Sequence, residues 1–239
     1  MVKVNWEAQF IFQRPLISTE HVAQRLRDLM DQLSGWAAAV YGGGLRWKHY
    51  ESNDWTQYDT VADIVERIAE DRIRDDKGRT WRDLFAGGVL QGHLSETVDL
   101  LNLRWNVNDR SPLFQVQVEF SPLSKKSPAK SLQEHTPEEL ADLLHRGVQA
   151  IDADRARIFA RPLTKALRTA TGKTFFTLGE GSFIRDGVKL PDIPPSFQVF
   201  PGEAGTVLIA DLDRAINDPE SLVPDIVAIA EALPAPPAG

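Results

Sequence analysis

The feature that most constrains the fold is a strict alternation of apolar and polar residues in three separate segments. A period of two predicts strands that bury one face. The five residues 108–112, between the second and third segments, have the length of a hairpin loop, so we expect those two strands to pair antiparallel. The apolar members are Val4, Trp6, Ala8, Phe10 and Phe12 in residues 4–12, Leu101, Leu103, Trp105 and Val107 in residues 97–107, and Phe114, Val116, Val118 and Phe120 in residues 113–120.

Helical patterns alternate with these strands. Thr60 is the predicted N-cap of one helix, and Thr136 opens a capping box with proline at the first helical position of another. Ser18 or Thr19 is predicted to cap the first helix, which the glycines at 42–44 end. Apolar residues recur at helical spacing in 22–40, 60–74, 140–151 and 222–233.

Further strands complete the predicted sheet. Residues 45–50 and 174–178 predict short strands, and residues 197–210 predict another hairpin. Hairpins build antiparallel sheets, and amphipathic helices then cover an exposed apolar face. The sequence therefore predicts an α+β fold, in which an antiparallel sheet built from hairpins has its helices packed on one face.

Length and composition predict one domain. The chain has 239 residues, and 42% of them are hydrophobic, which is enough for a sizeable core. We expect a single domain over 1–239 that divides into two sub-halves, 1–121 and 136–233, joined by the polar linker 122–135. Residues 77–96 are rich in glycine and predict no clear element.

Charge and cysteine content limit the function. The sequence has no cysteine, which excludes disulfides, thiolate catalysis and zinc–thiolate sites. Its 34 acidic and 27 basic residues give a net charge of −7, which disfavours direct nucleic-acid binding and suits a basic partner. No signal-peptide block and no run as long as a membrane span is present, so we expect a cytoplasmic protein without a membrane partner.

One segment resembles a nucleophile motif and another resembles a phosphate-binding loop, but neither matches the full pattern. In Gly179-Glu180-Gly181-Ser182 the serine lies one place too late for a nucleophile elbow, so we interpret the segment as a turn. Gly172-Lys173-Thr174 matches the end of a phosphate loop, but Leu167 occupies the position of the loop's first glycine. We expect Gly172 to end a helix instead.

The spacing of the histidines does not match a metal-binding motif. The five histidines never recur four residues apart on a helix, and Asp211 and Asp213 suit turn and helix-cap roles better than metal binding. The sequence therefore predicts no catalytic residues, no metal site and no cofactor, and we expect a binding protein that is not an enzyme. The histidines are His21, His49, His93, His135 and His145.

Acidic residues form one stripe on the helix predicted at 60–74. Asp59, Asp63, Glu66 and Glu70 are spaced four, three and four residues apart, which places them on one side of a helix. The apolar residues lie on the opposite side, so the acidic side chains are expected to face solvent. Like charges at this spacing weaken a helix slightly, and a cationic partner would compensate for that.

Aromatic residues lie just before the acidic helix. Trp47, Tyr50, Trp55 and Tyr58 belong to one stretch, and tryptophan and tyrosine are frequent in binding hot spots. They are equally frequent in cores, which is the alternative interpretation. Together with the acidic stripe they predict a partner-binding surface within residues 41–75.

The two ends of the chain resemble a known family. The N-terminal strand ends in Phe12-Gln13-Arg14-Pro15-Leu16 and is followed by a long helix that reaches Trp36. Near the C-terminus, Gly205-Thr206-Val207-Leu208-Ile209 precedes an acidic turn and a helix that ends at Leu233-Pro234. These segments, about a third of the chain, resemble the immunity protein 52 family of bacterial polymorphic toxin systems.

The resemblance implies that the chain neutralises a cognate toxin, which in that family is typically a nuclease. A nuclease needs a basic groove, and an acidic inhibitor can dock there. Two other functions stay open at this point. The aromatic stretch beside carboxylates could bind a sugar or an organic cation in a site assembled from distant residues. The chain could also be an accessory protein of a secretion apparatus.

Overall fold

The computed structural model describes residues 3–13, 18–49, 55, 58–70, 86–108, 113–122, 127–173 and 178–233. These residues form, in chain order, β1 (Trp6–Phe12), α1 (Thr19–Tyr41), β2 (Arg46–His49), α2 (Val61–Glu70), β3 (Ala86–Ser95), β4 (Val98–Asn108), β5 (Leu113–Phe120), α3 (Pro137–Ile151), β6 (Arg155–Ala160), α4 (Arg161–Thr171), β7 (Gly181–Arg185), β8 (Phe197–Gly202), β9 (Gly205–Ala210), α5 (Leu212–Asn217) and α6 (Val223–Ala232). Two short 3-10 helices, Leu132–Glu134 and Pro219–Leu222, precede α3 and α6.

The described strands form one antiparallel sheet in the order β2-β3-β4-β5-β1-β6-β7-β9-β8. β1 lies at the centre and pairs with β5 on one side and β6 on the other. The sheet thus takes strands from both predicted sub-halves. The predicted α+β fold with an antiparallel sheet of hairpins is confirmed.

The main core lies between the sheet and α1, α2 and α3. The inward residues of β1, β4 and β5 are the alternating apolar residues of the sequence, and Trp6 stacks on Phe120 with ring centroids 4.0 Å apart. Trp36 of α1 meets Phe120 edge to face and donates its indole N–H to the carbonyl of Glu139 at 2.8 Å. This contact ties α1 to α3 over the central strands.

A second, smaller core lies at the β7–β9–β8 end of the sheet. In β9, Val207 and Ile209 belong to the main core, whereas Leu208 and Ala210 belong to the second, because successive side chains of a strand point to opposite faces. Residues of α4 and α6 pack in this second core. The prediction of helices on one face holds for α1–α3, and at this end helices cover the other face as well.

Most predicted helix ends are present. Ser18 Oγ accepts a hydrogen bond from the His21 N–H at 3.2 Å, and Gly42 ends α1 with a φ of 79°. The Thr136 capping box opens α3, and Gly172 ends α4 with a φ of 69°. Among the described residues no helix has both the length and the apolar character of a membrane span.

The sequence missed three strands. β3 lies within residues 77–96, and a Cβ at its Gly92 would approach Leu101 Cδ1 to 3.1 Å, a tight contact. β6 and β7 were also missed, and the interpretation of 179–182 as a turn is wrong because Gly181 and Ser182 belong to β7. Residues 174–177 of the predicted strand and residues beyond Glu70 in the predicted second helix lie outside the described residues.

Candidate functional site

The acidic stripe begins at the N-terminus of α2. Thr60 Oγ1 accepts from the Asp63 N–H at 3.2 Å, and the Asp63 carboxylate accepts from the N–H and the hydroxyl of Thr60, each at 2.7 Å. These bonds satisfy backbone groups that a helix end leaves open. Thr60 is therefore the N-cap that the sequence predicts, and Asp63 has a structural role besides any contact with a partner.

The apolar side of α2 is buried, which turns the acidic side outward. Ile64 is 2% exposed and Ile68 is 1% exposed, and both belong to the main core. Asp59 and Glu66 are exposed, and Asp63 is partly exposed. Glu70 is the last residue of α2, and its side chain lies outside the described set.

The structure adds an acidic residue from α1. Arg27 forms an ion pair with Asp31 and donates from Nη1 to the carbonyl of Tyr58 at 2.6 Å, which holds Asp31 beside the segment that precedes α2. The Asp31 side chain is 56% exposed. We call Asp31, Asp59, Asp63 and Glu66 the acidic surface. The four-residue spacing of Arg27 and Asp31 can be seen in the sequence. The contact between α1 and α2 cannot.

Among the described residues, Arg27 pairs with Asp31 and the arginine of α2 has a partner on β2. Arg67 Nη2 lies 3.0 Å from His49 Nε2 and so is held at β2. Within the part of the chain that the structure describes, Asp31 is the one member of the acidic surface in an ion pair. Repulsion among unpaired carboxylates falls when a cationic surface approaches them.

The predicted aromatic contacts divide between core and surface. Trp47 is 6% exposed and Tyr58 is 2% exposed, and both belong to the main core. Neither side chain is available to a partner in this conformation, so the interpretation as core packing holds for these two. Trp55 is partly exposed, and Tyr50 lies outside the described residues.

Trp55 already has cations of the protein beside its ring. Arg46 Cζ lies 4.7 Å and Lys48 Nζ 5.2 Å from the ring centroid, and His93 meets the ring edge to face at 5.0 Å. These are the positions that an organic cation would take on an aromatic face. At Trp55 a cationic ligand would therefore compete with Arg46 and Lys48, and the alternative that the aromatic stretch binds a sugar or an organic cation stays open.

Trp47→Ala is expected to lower the free energy of unfolding by about 3–5 kcal/mol, because it empties a buried site of tryptophan size. Trp55→Ala is the matched change on a partly exposed tryptophan, and we expect a loss of about 1 kcal/mol or less. Urea unfolding followed by circular dichroism measures both. Equal losses in the two variants would contradict the division into core and surface.

The face of the sheet opposite α1–α3 is a second polar surface, which we call the open face. Over β3 and β4 no described helix packs on it. Arg104 Nη2 donates to Glu119 Oε2 at 3.1 Å, and Gln91 Nε2 donates to Asn102 Oδ1 at 3.3 Å. The register forms two rows, Gln91, Asn102, Glu119 and Glu7, and Val89, Arg104, Gln117 and Gln9.

Charge is nearly balanced on the open face. Burial and the neighbouring Glu119 carboxylate raise the pKa of Glu7, while Arg104 and Arg157 lower it. Side-chain amides provide many of the remaining polar groups. The open face can thus form hydrogen bonds, but it lacks the excess of negative charge that the acidic surface has.

Several of the remaining polar candidates have structural partners. Asp211 Oδ1 accepts from the Arg214 N–H at 3.1 Å and caps α5, as the turn and cap interpretation predicts. His135 Nδ1 lies 2.9 Å from Glu139 Oε2, and His145 Nε2 lies 3.2 Å from the carbonyl of Phe200. In the described ranges no three histidine or acidic side chains are grouped as a metal site needs.

The fold and these surfaces define an antiparallel α+β protein with a charged helix face. No protein-family model matches the chain, and no curated protein matches it. Among solved structures the chain is similar to the Pseudomonas aeruginosa T6SS protein PA0821, with a TM-score of 0.49 and 10% sequence identity over 95% of this chain and 74% of that chain. A similarity at this level carries no argument about function, so the resemblance to the immunity protein 52 family stays a prediction.

Proposed function

We propose that this protein is an immunity protein that binds and neutralises a cognate bacterial toxin. The proposal treats the chain as a binding protein that performs no reaction. The observation that carries it is the acidic surface: α2 buries its apolar side in the core, while Glu66 of α2 and Asp59 just before α2 are exposed, and neither forms an ion pair among the described residues. The resemblance of the chain ends to an immunity family supports the same function.

The chemistry of the surface favours a basic partner. Exposed carboxylates on one helix side attract a cationic surface over a distance of about one Debye length, roughly 8–10 Å at physiological salt. A nuclease must present such a cationic surface to its substrate. We therefore propose a basic nuclease domain as the toxin, with the acidic surface directed at its nucleic-acid groove.

The function itself is tested by growth rescue. A candidate toxin, chosen from the products of neighbouring genes, is expressed in a host with and without this protein, and the purified pair is tested in a pull-down. We expect rescue and a stable complex. Absence of both would refute the immunity function, whereas a complex with a secretion component and no rescue would indicate the accessory role.

The contact surface is tested by charge reversal. Asp59→Lys with Glu66→Lys is expected to slow association with the toxin about tenfold at low salt, because electrostatic steering is lost. Asp63 is left intact because it caps α2. Stopped-flow measurements over a salt series give the association rate, and the difference from the wild type should shrink as salt rises.

The matched control places the same charges elsewhere. Asp192→Lys with Glu203→Lys changes two exposed acidic residues that lie outside the acidic surface. In both double variants each replacement adds two charge units, so the net charge rises from −7 to −3. Equal slowing in both variants would show that only net charge matters, and the acidic surface would not be the contact.

A further inference from the structure

A cavity of about 310 Å³ lies where α4 meets the open face of the sheet. α4 follows β6 without a loop and folds back over it, so Leu163 and Leu167 face the outward side chains of β1, β5 and β6. Phe159 and Leu178 extend the apolar wall. A cavity of this volume is in the range of small-molecule sites.

The cavity contains a carboxyl group that is completely buried. Glu180 is 0% exposed, and its Oε1 accepts from the Ala160 N–H at 3.0 Å. Its Oε2 is also buried and has no hydrogen-bond partner among the described residues. A buried polar atom without a protein partner is rare in native structures, which makes Glu180 Oε2 a candidate contact for a ligand.

Three polar residues that line the cavity with Glu180 indicate which kind of ligand group fits there. Gln9 is 3% exposed, and its Oε1 accepts from Arg157 Nε at 2.7 Å. The Arg157 guanidinium lies 4.8 Å from the centroid of the Phe159 ring. Arg168 of α4 is exposed and also lines the cavity. Two cations therefore line the cavity together with the buried carboxyl.

The protonation state of Glu180 decides whether it can donate a hydrogen bond in the cavity. Burial raises the pKa of Glu180 to about 8, although Arg157 lowers it, and burial lowers the pKa of Arg157 to about 10. At pH 7 Glu180 is thus mostly a neutral acid and Arg157 a cation. A neutral carboxyl in an apolar site donates a hydrogen bond from its hydroxyl, so a ligand group that meets it must be an acceptor.

We propose that this cavity binds a small molecule with one carboxylate on an apolar body. The carboxylate accepts from Glu180 and lies near the charges of Arg157 and Arg168, while the body packs on Leu163, Leu167 and Phe159. This site is distinct from the acidic surface, because α2 lies on the opposite side of the sheet. The inference does not rest on the proposed immunity function.

The site is tested by titration calorimetry of the full chain with phenylacetate and 4-methylpentanoate at pH 6.5. We expect one site with a Kd of about 0.1–1 mM, as ligands of this size reach. Phenylacetamide, which has the same shape and no charge, is expected to bind at least about tenfold more weakly, and inorganic phosphate not at all. Equal binding of acid and amide, or tighter binding of phosphate, would overturn the proposal.

Two variants locate the binding. Arg168→Met is expected to weaken phenylacetate about fivefold, and Arg161→Met, on the same helix but outside the cavity, to leave the Kd unchanged. Thr164→Trp fills the cavity from its partly exposed rim and is expected to abolish binding. If Arg168→Met and Arg161→Met bind alike, and Thr164→Trp folds and binds like the wild type, the site is elsewhere.

A pH series distinguishes ligand binding that uses a hydrogen bond from Glu180 from binding by charge attraction alone. Of the described residues that line the cavity, Arg157, Arg168 and Glu180 are the titratable ones, and Glu7 of β1 faces Arg157. As pH rises through 8, Glu180 ionises and repels the ligand, so wild-type affinity is expected to fall about tenfold by pH 9. Glu180→Gln keeps an N–H donor and is expected to lose this decline. A parallel decline in both proteins would refute the role of Glu180.

Discussion

Replacing Glu180 with glutamine is expected to raise the free energy of unfolding at pH 9 by about 4 kcal/mol, and to change it by about 1 kcal/mol or less at pH 5. The reason is the environment of the carboxyl, which is completely buried and accepts one backbone hydrogen bond. Burial raises its pKa from 4.5 to about 8. Glutamine keeps an acceptor for the Ala160 N–H and has no charge to desolvate.

The sign follows from proton binding. Between pH 4.5 and 8 the unfolded chain binds fewer protons at this residue than the folded chain does, so wild-type stability falls as pH rises through that window. The contribution of Glu180 is therefore fully present below pH 4.5 and lost above pH 8. In Glu180→Gln this decline is absent.

Histidines titrate in a neighbouring pH range, and their effect on stability cancels when the variant is compared with the wild type. Burial lowers the pKa values of His21, His93 and His135, so these side chains make stability rise with pH below about 6.5. Both proteins contain them, and the difference between the two urea-unfolding series isolates Glu180. Glu203→Gln, at an exposed turn, should follow the wild type. Parallel profiles for Glu180→Gln and wild type would mean that Glu180 is ionised in the folded protein.

Gly205→Ala is expected to lower the free energy of unfolding by more than about 3 kcal/mol. Gly205 has a φ of 150°, and a Cβ there would lie 2.2 Å from the carbonyl oxygen of Ile184. Two further backbone atoms, Arg185 Cα and Asp186 N, would lie at 2.8 Å. Backbone atoms of a paired strand cannot turn away as a side chain can, so β7 and β9 would have to separate.

Gly187→Ala is the matched control for backbone conformation. Gly187 also has a positive φ, 84°, but a Cβ there would meet no atom within 4 Å. We expect a loss of about 1 kcal/mol, which is the cost of a left-handed conformation alone. Chemical denaturation of both variants gives the comparison, and similar losses would show that β7 and β9 adjust to the added methyl group.

The two proposed surfaces can be tested independently. The acidic surface lies on the helix side of the sheet, and the cavity lies on the other side, under α4. Charge reversal at Asp59 and Glu66 should leave phenylacetate binding unchanged, and Arg168→Met should leave toxin association unchanged. Each proposal can therefore fail without affecting the other.

Local patterns in the sequence predicted much of the fold. The alternation in β1, β4 and β5 and the caps at Ser18, Thr60 and Thr136 are present, because period and capping depend on residues that are near in sequence. The strands β3, β6 and β7 were missed. Two of these strands contain glycines, Gly92 and Gly181, that weaken a strand pattern in sequence. In the fold, Leu101 and Ile158 of neighbouring strands lie close to them.

The candidate sites depended more on distant contacts. Sequence placed Asp63 and Glu66 on the solvent side of a helix, since helical spacing alone decides that. Asp59, predicted for the same stripe, is exposed but precedes α2. It could not tell that Trp47 and Tyr58 belong to the core, because an aromatic side chain serves a core or a contact equally well.

By itself, then, the sequence determined the antiparallel α+β class, the caps of α1, α2 and α3 and the outward direction of the acidic residues of α2. Each depends on periodicity or on a cap within a few residues. Only the tertiary structure decided that Asp31 joins the acidic surface and that Glu180 meets Gln9 and Arg157 in one cavity. Those residues are brought together by the order of strands in the sheet, and pairing between distant segments has no local pattern.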